Sequence, residues 1–408
     1  MFPTLRALFR LRRPRWDWVQ VEVTTRCDAA CVYCPRTACG GGWRDADMPM
    51  ALFRRVLSAC RGARRLHLQG WGEPLLHPRY PDMLAEAVAA GYVVGLTTNG
   101  VHLDADMAGV LVAAGVDMVA LSLAGIGARN DAVRRGAPTA RVLDALDALR
   151  EAKARAGSLL PRVHLAYMLL RQDADGPEAL PALLRGRGVE TVVVSTLDHV
   201  STPELADAAY AHADADELAA LGRRLEMACT VAGAEGIRMV WRLPRPAHPS
   251  AHPSAHPSVH VATRPDGRHR HTVSPPDHSF TSDFSRRPDH PFTPGHEPPE
   301  LWDVPGDMLH ALAAREGDAS CTENVGRAAV ITVDGMVAPC VFAALPLCGG
   351  RPREGSRAVA AGRMLFGSVE DSPLAEVWRR PAYAAFRAAH ARGMPPPPCE
   401  GCIKLRVH

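Results

Sequence analysis

Three cysteines stand close together in Thr25-Arg-Cys27-Asp-Ala-Ala-Cys31-Val-Tyr-Cys34-Pro35. Three thiolates on one short loop can hold three irons of a four-iron cubane and leave the fourth iron open to another ligand. The competing chemistry is a structural zinc ion that takes Cys39 or a histidine as its fourth ligand. Three residues and then two between the thiols do not match the common two-plus-two zinc spacings. A second set follows far along the chain. Cys321 precedes thirteen residues, Gly335, four more residues and Cys340, and Cys399 and Cys402 enclose two residues. Four thiolates there could close an iron–sulfur cluster or, equally well, a zinc ion. Cys348 is a candidate substitute ligand, while Cys39, Cys60 and Cys229 read as bystanders, the last two as small apolar residues in helical patterns. Eleven cysteines, an odd number in tight clusters and with no export signal ahead of them, point to metal rather than disulfides and to the cytoplasm.

The elements that must position these thiols are strands and helices in alternation. Val19–Val23, Leu66–Gln69, Val93–Thr97, Met118–Ser122, Val163–Leu169 and Thr191–Val194 have strand character. Between them Pro49–Arg61, Pro78–Ala90, Asp104–Ala114 and Thr139–Ala156 have helical periodicity. Strands separated by helices imply right-handed crossovers and a parallel sheet, and six such units would make a partial (β/α) barrel. Ligands in such folds gather at the carboxyl ends of the strands, where the first cysteine loop lies. The whole is an α/β chain of 408 residues, 47% hydrophobic.

Four regions are expected. Residues 1–16 form a basic arm with Arg6, Arg10, Arg12, Arg13 and Arg15, and residues 17–244 form the barrel. In residues 245–300 Ala-His-Pro-Ser recurs three times, so the segment reads as a disordered Pro/His-rich insert. Residues 301–408 form a small domain, with Ala328–Val333 and Met336–Val341 flanking the hairpin signal Asp334-Gly335 and a helix near Leu374–His390. A net charge of +3 gives no nucleic-acid surface, and no apolar run has the length of a membrane span.

On these residues the chain resembles the radical S-adenosylmethionine (SAM) superfamily. The resemblance rests on the cysteine loop, with Tyr33 just before its third cysteine, and on Gln69-Gly70-Trp71-Gly72-Glu73-Pro74 after the second strand. It continues in Thr97-Thr98-Asn99-Gly100 after the third strand and in Leu121-Ser122-Leu123-Ala124-Gly125 at the fourth. It implies a partial (β/α)6 radical SAM barrel with a [4Fe–4S] cluster on Cys27, Cys31 and Cys34. It also implies that Tyr33 lies beside the adenine of SAM, while Gly70, Gly72, Glu73 and Pro74 hold its amino group. Thr98 would line the SAM pocket, Ser122 would offer a hydroxyl and Arg134 would pair with the carboxylate. Ala124 stands where relatives often carry an acid, so any role of that acid is missing.

The C-terminal cysteines resemble the SPASM domain or its shortened twitch form, which implies a second, auxiliary [4Fe–4S] cluster on Cys321, Cys340, Cys399 and Cys402. No further cysteines follow Cys402, which favours the one-cluster twitch form. The implied activity is reductive cleavage of SAM to a 5′-deoxyadenosyl radical, followed by hydrogen abstraction from a peptide or small-molecule substrate. Oxidation, crosslinking or maturation of a cofactor or natural product would be the outcome, with a flavodoxin- or ferredoxin-type electron donor. No other residue is singled out as catalytic. The alternative is a zinc-stabilised binding or scaffold protein without radical chemistry.

Overall fold

The computed structural model describes residues 14, 16–173, 176–197, 199–210, 213–243, 260–261, 321–345, 363–399, 402 and 404. In chain order the first elements are β1 (Trp18–Val21), β2 (Ala30–Cys31), α1 (Pro35–Cys39), α2 (Met50–Ala59), β3 (Arg65–Leu68) and α3 (Tyr80–Ala89). Then come β4 (Val93–Thr98), α4 (Ala105–Ala113), β5 (Met118–Leu123), α5 (Ala128–Val133), β6 (Arg134–Arg135) and α6 (Thr139–Ala156). The barrel continues with β7 (Arg162–Leu169), α7 (Gly176–Leu184), β8 (Val189–Thr196), α8 (Ala215–Ala234) and β9 (Arg238–Trp241). The last elements are β10 (His260–Val261), β11 (Ala328–Ile331), β12 (Val337–Ala338), α9 (Leu374–Arg379) and α10 (Pro381–Ala391).

Alternation along the strands divides the residues between two faces. Val19 and Val21, Leu66 and Leu68, Val94 and Leu96, and Val119 and Leu121 are buried in one core with Phe53, Leu84, Leu111 and Leu146 of the surrounding helices. Each such side chain removed from water contributes roughly 1.5–3 kcal/mol. Gln20, His67, Gln69 and Thr97 take the intervening positions and meet on the opposite, inner face, where they bond to one another.

The sheet has ten strands in the order β10-β9-β8-β7-β5-β4-β3-β1-β11-β12. Every pair from β9 to β11 is parallel, and β10 and β12 join the two edges antiparallel. The sheet therefore extends beyond the six expected strands on both sides. β9 adds to one side; β11 pairs with β1 in the register Trp18↔Ala328 to Val21↔Ile331 on the other. The C-terminal hairpin is thus part of the barrel sheet.

Local chemistry sets the ends of the elements. Asp104 and Asp214 cap α4 and α8 by accepting from Met107 N and Glu217 N. Gly157, at φ +59°, closes α6 in the left-handed conformation. The helix expected near Leu374–His390 is broken between Arg379 and Pro381, because proline brings no backbone donor and begins a new helix at its first position. The hairpin turns at Gly335, φ +77°, as the Asp334-Gly335 signal requires.

Two expectations change. Trp16, placed in the basic arm, is buried edge-on against Trp378 at 5.7 Å, so the ordered domain already includes it. His260–Val261 lies in the segment expected to be disordered, yet it pairs with Trp241 and Val240 at an open sheet edge. Apart from Pro14 and Trp16 the arm lies outside the described residues, as do the rest of the insert, residues 301–320 and Cys348.

Candidate functional site

Two strands and a helix start shape the cysteine loop. Ala30–Cys31 pairs antiparallel with Arg134–Arg135, which sets Cys31 opposite Arg134. Cys34 N–H donates to Cys31 C=O at 3.0 Å, and Cys34 then stands at the N-cap of α1 in extended conformation. Cys27, Cys31 and Cys34 all carry free thiols. Burial pushes the Cys27 thiol up to about 12 and those of Cys31 and Cys34 upward as well. A thiolate there needs a positive partner, and metal coordination is the chemistry that supplies one.

Arg134 is 3% exposed, and its Nε has no hydrogen-bond partner, although the guanidinium lies near enough to Cys31 and Tyr33 to pull both toward their charged forms. A buried cation with an unused donor fits an anionic ligand group. Tyr33 bonds to Cys31 and packs on a satellite apolar cluster that contains Leu170, Leu197 and Ala209.

After β3 the chain passes under this loop. A Cβ on Gly72 would sit 2.3 Å from the Thr24 carbonyl oxygen and 2.6 Å from that of Arg26. One on Gly70 would sit 2.3 Å from Glu22 Cγ. The glycines thus admit close approach to the chain itself rather than to a ligand. Glu73 N–H donates to Arg26 C=O at 2.7 Å, which fastens the two loops together. Pro74 is buried at the first position of the turn that Glu73 caps.

Glu73 is 3% exposed. Its Oε1 accepts from Thr98 Oγ1 at 2.7 Å and Leu75 N–H at 3.1 Å, and its Oε2 accepts from Asn99 N–H at 2.7 Å. Burial raises its carboxyl to about 7, against the opposing pull of those donors. Among the described residues no cation pairs with it, and a buried carboxylate so placed is suited to an incoming ammonium group.

The structure brings Glu73 and Thr98 into contact, joins Arg134 and Tyr33 to Cys31, and sets Gly70, Gly72 and Pro74 around Glu73. Ser122 is half-buried on β5 and stays outside this network. Asp28 was not singled out from sequence: it accepts from Asn99 Nδ2 at 2.9 Å and meets His102 Nε2 at 2.8 Å. Its place directly after Cys27 was the available signal. Cys39 is disulfide-bonded, which goes against the expectation of metal rather than disulfides, and it is therefore no fourth ligand to the loop. It is the last residue of α1, the helix that Cys34 opens as N-cap.

In the C-terminal domain Cys321, Cys340, Cys399 and Cys402 carry free thiols. Burial raises the first three; Cys399 reaches about 11, and neighbouring cysteines add to the rise at each. Cys402 N–H donates to Cys399 C=O at 3.1 Å, and Thr322 N–H donates to Lys404 C=O at 2.8 Å, which ties the tail to the Cys321 loop. Among the described residues no group of three or more His, Cys, Asp or Glu is spaced to grip a single metal ion.

Comparison with known proteins agrees with this arrangement. Residues 21–180 match the model of the radical SAM superfamily, and residues 321–403 match that of an iron–sulfur cluster-binding domain, SPASM. The chain is 26% identical over 199 residues to the tungsten-containing aldehyde ferredoxin oxidoreductase cofactor-modifying protein of Pyrococcus furiosus, covering 47% of this chain and 55% of that one. It is 37% identical over 105 residues to the PqqA peptide cyclase of Streptomyces rochei, covering 25% and 28% of the two chains. The match thus spans about half the length of these curated relatives, or less. The crystal structure of Streptococcus suis SuiB bound to S-adenosylmethionine superposes with a TM-score of 0.56 at 13% identity, over 92% of this chain and 68% of that one. That likeness shows the fold. With a barrel that gathers three free thiols and a buried carboxylate at its carboxyl end, and with both domain models matched, residues 21–180 are a radical SAM domain and residues 321–403 a SPASM-type domain.

Proposed function

We propose that the protein cleaves SAM reductively and uses the product radical to take hydrogen from a peptide or small-molecule substrate. The observation that carries this reading is the meeting of the Cys27, Cys31 and Cys34 loop with the buried Glu73–Thr98–Asn99 network, joined through Arg26. Cys27, Cys31 and Cys34 would hold a [4Fe–4S] cluster. The chemistry such a cluster would supply is a single electron for SAM, which would cleave it to methionine and a 5′-deoxyadenosyl radical.

The residues of the chain do the binding and orienting. Glu73, oriented by three donors and kept from ionising early by burial, would take the SAM ammonium, whose positive charge favours the carboxylate form, while Arg134 would take the carboxylate with the donor it leaves unused. Tyr33 would lie against the adenine, Thr98, its hydroxyl donated to Glu73, would line the pocket, and Ser122 on the neighbouring strand would offer its hydroxyl. Gly70, Gly72 and Pro74 keep the loop close enough to the cysteines for these contacts. Cys321, Cys340, Cys399 and Cys402 hold one auxiliary [4Fe–4S] cluster in the residues 301–408 domain, poised to accept or relay an electron.

A peptide substrate is favoured by the relatives: a PqqA peptide cyclase is among them, and SuiB has a solved complex with its precursor peptide SuiA. A flavodoxin- or ferredoxin-type protein is the proposed donor, and the cytoplasm the proposed setting. No helix among the described residues is long and apolar enough to cross a membrane.

The test is anaerobic reconstitution with iron and sulfide analysis, electron paramagnetic resonance with and without SAM, and detection of 5′-deoxyadenosine. Cys27→Ala, Cys31→Ala or Cys34→Ala should abolish SAM cleavage while the auxiliary iron stays. Retained cleavage in any of them would overturn the ligand assignment.

A further inference from the structure

The loop that carries Glu73 is anchored in the C-terminal domain at three points. Trp71 N–H donates to Glu22 Oε1 at 3.0 Å, and the other oxygen of Glu22 accepts from Val333 N–H at 3.4 Å. Trp71 Nε1–H reaches across to the Val341 carbonyl at 3.2 Å. Its ring stands edge-on to Phe342, centroids 5.8 Å apart at 66°. Val341 and Phe342 directly follow Cys340, and the same Phe342 ring meets His199 at 5.8 Å and Lys404 Nζ at 5.7 Å. One aromatic side chain therefore links the turn that holds Glu73 to the loop that presents Cys340.

The turn has little freedom to move without Trp71. Gly70 and Gly72 are wedged against Glu22 and the Thr24–Arg26 backbone, and Glu73 N–H is fixed on Arg26. A displacement at Trp71 must therefore pass to Glu73. Binding of metal orders the loops that supply its ligands, so engagement of the auxiliary cysteines would stiffen Val341 and Phe342, which directly follow Cys340.

We propose that Trp71 is a positioning residue that couples the two cysteine sites, so that an occupied auxiliary site raises the affinity of the barrel for SAM. The coupling rests on the reading given under Proposed function, and by linkage it acts equally in both directions.

Equilibrium dialysis of labelled SAM against the reconstituted full-length protein tests it, with iron counted in every sample. Cys399→Ala, which removes an auxiliary ligand away from the Trp71 contact, should weaken SAM binding about tenfold, within the usual range of coupling between sites. Trp71→Phe should cause a similar loss with the auxiliary iron retained, and the double variant should bind SAM no worse than either single one. Phe342→Leu keeps every cysteine and should show the same loss if Cys399→Ala fails to fold. Effects that multiply in the double variant, or a Trp71→Phe protein with wild-type affinity, would overturn the coupling and leave the radical SAM reading standing. A wild-type protein without auxiliary iron or without SAM binding would overturn both.

Discussion

Thr98 Oγ1 and Glu73 Oε1 lie 2.7 Å apart, a bond between the end of β4 and the turn that follows β3, with both side chains buried. A hydrogen bond to a charged group is worth about 1.5–3 kcal/mol. Thr98→Val should therefore push the Glu73 carboxyl further up and weaken SAM binding by about tenfold or more at neutral pH. Glu73→Gln should weaken it more, since the attraction to an ammonium group is lost. Calorimetric titration with SAM measures both.

The barrel interior holds two histidines that resist protonation. Burial lowers His67 to about 4 and His164 to about 3. His67 Nε2 also sits 3.0 Å from both Gln69 Oε1 and Thr97 Oγ1. Their folded values lie below the usual 6.5, so the unfolded chain takes up protons first as pH falls. Stability present above pH 6.5 is then lost progressively toward pH 4. Glu73 acts in the opposite sense: raised to about 7, it lowers stability as pH rises from about 4.5 through 7. Urea unfolding at pH 7.5 and 5.5 should show a smaller acid loss in His67→Gln than in the wild type.

Gly72→Ala places a methyl 2.3 Å from the Thr24 carbonyl, so the two loops must part. Overpacking of this kind costs about 1–3 kcal/mol, and here it should also lower SAM affinity, because Glu73 moves with the turn. Gly41→Ala meets nothing within 4 Å and needs no unusual backbone angle, so it should stay within about 0.5 kcal/mol of the wild type. Thermal melts of the pair check both.

Removal of one auxiliary thiol should separate the two cofactor sites chemically. Cys321→Ala or Cys402→Ala is expected to lower iron and sulfide by about one cluster, with the barrel cluster still present by electron paramagnetic resonance. Zinc in the wild-type protein in place of that iron would contradict the assignment.

Much of the barrel was legible because its signals are local. The helix Thr139–Ala156 was read with the boundaries it has, as it combines apolar periodicity with a terminal glycine. β4 and β5 were read to within one residue by their apolar runs. The cysteine loops stood out by their spacing and Glu73 by the resemblance of its motif, and the fold brings Glu73 up to the cysteine loop through Arg26. β9 and α7 were missed, the latter because Pro181 lies inside it and Gly176 opens it. The pairing of Trp18 with Ala328 has no local signal, since register between distant segments is settled only by packing. Nor could Trp71 be read as an anchor: an indole between two glycines says nothing of the Val341 carbonyl it finds.

The parallel pairing of β1 with β11 also has a consequence for the newborn chain. Until Ala328–Ile331 has been made, the outer edge of β1 has no strand to bond to. About 300 residues separate the two, roughly 15–60 s of synthesis at about 5–20 residues per second. During that interval the nascent barrel carries an open, apolar edge of the kind that recruits other chains. Translation halted before the hairpin should therefore yield a species prone to aggregate, even though most of its barrel strands are already in place.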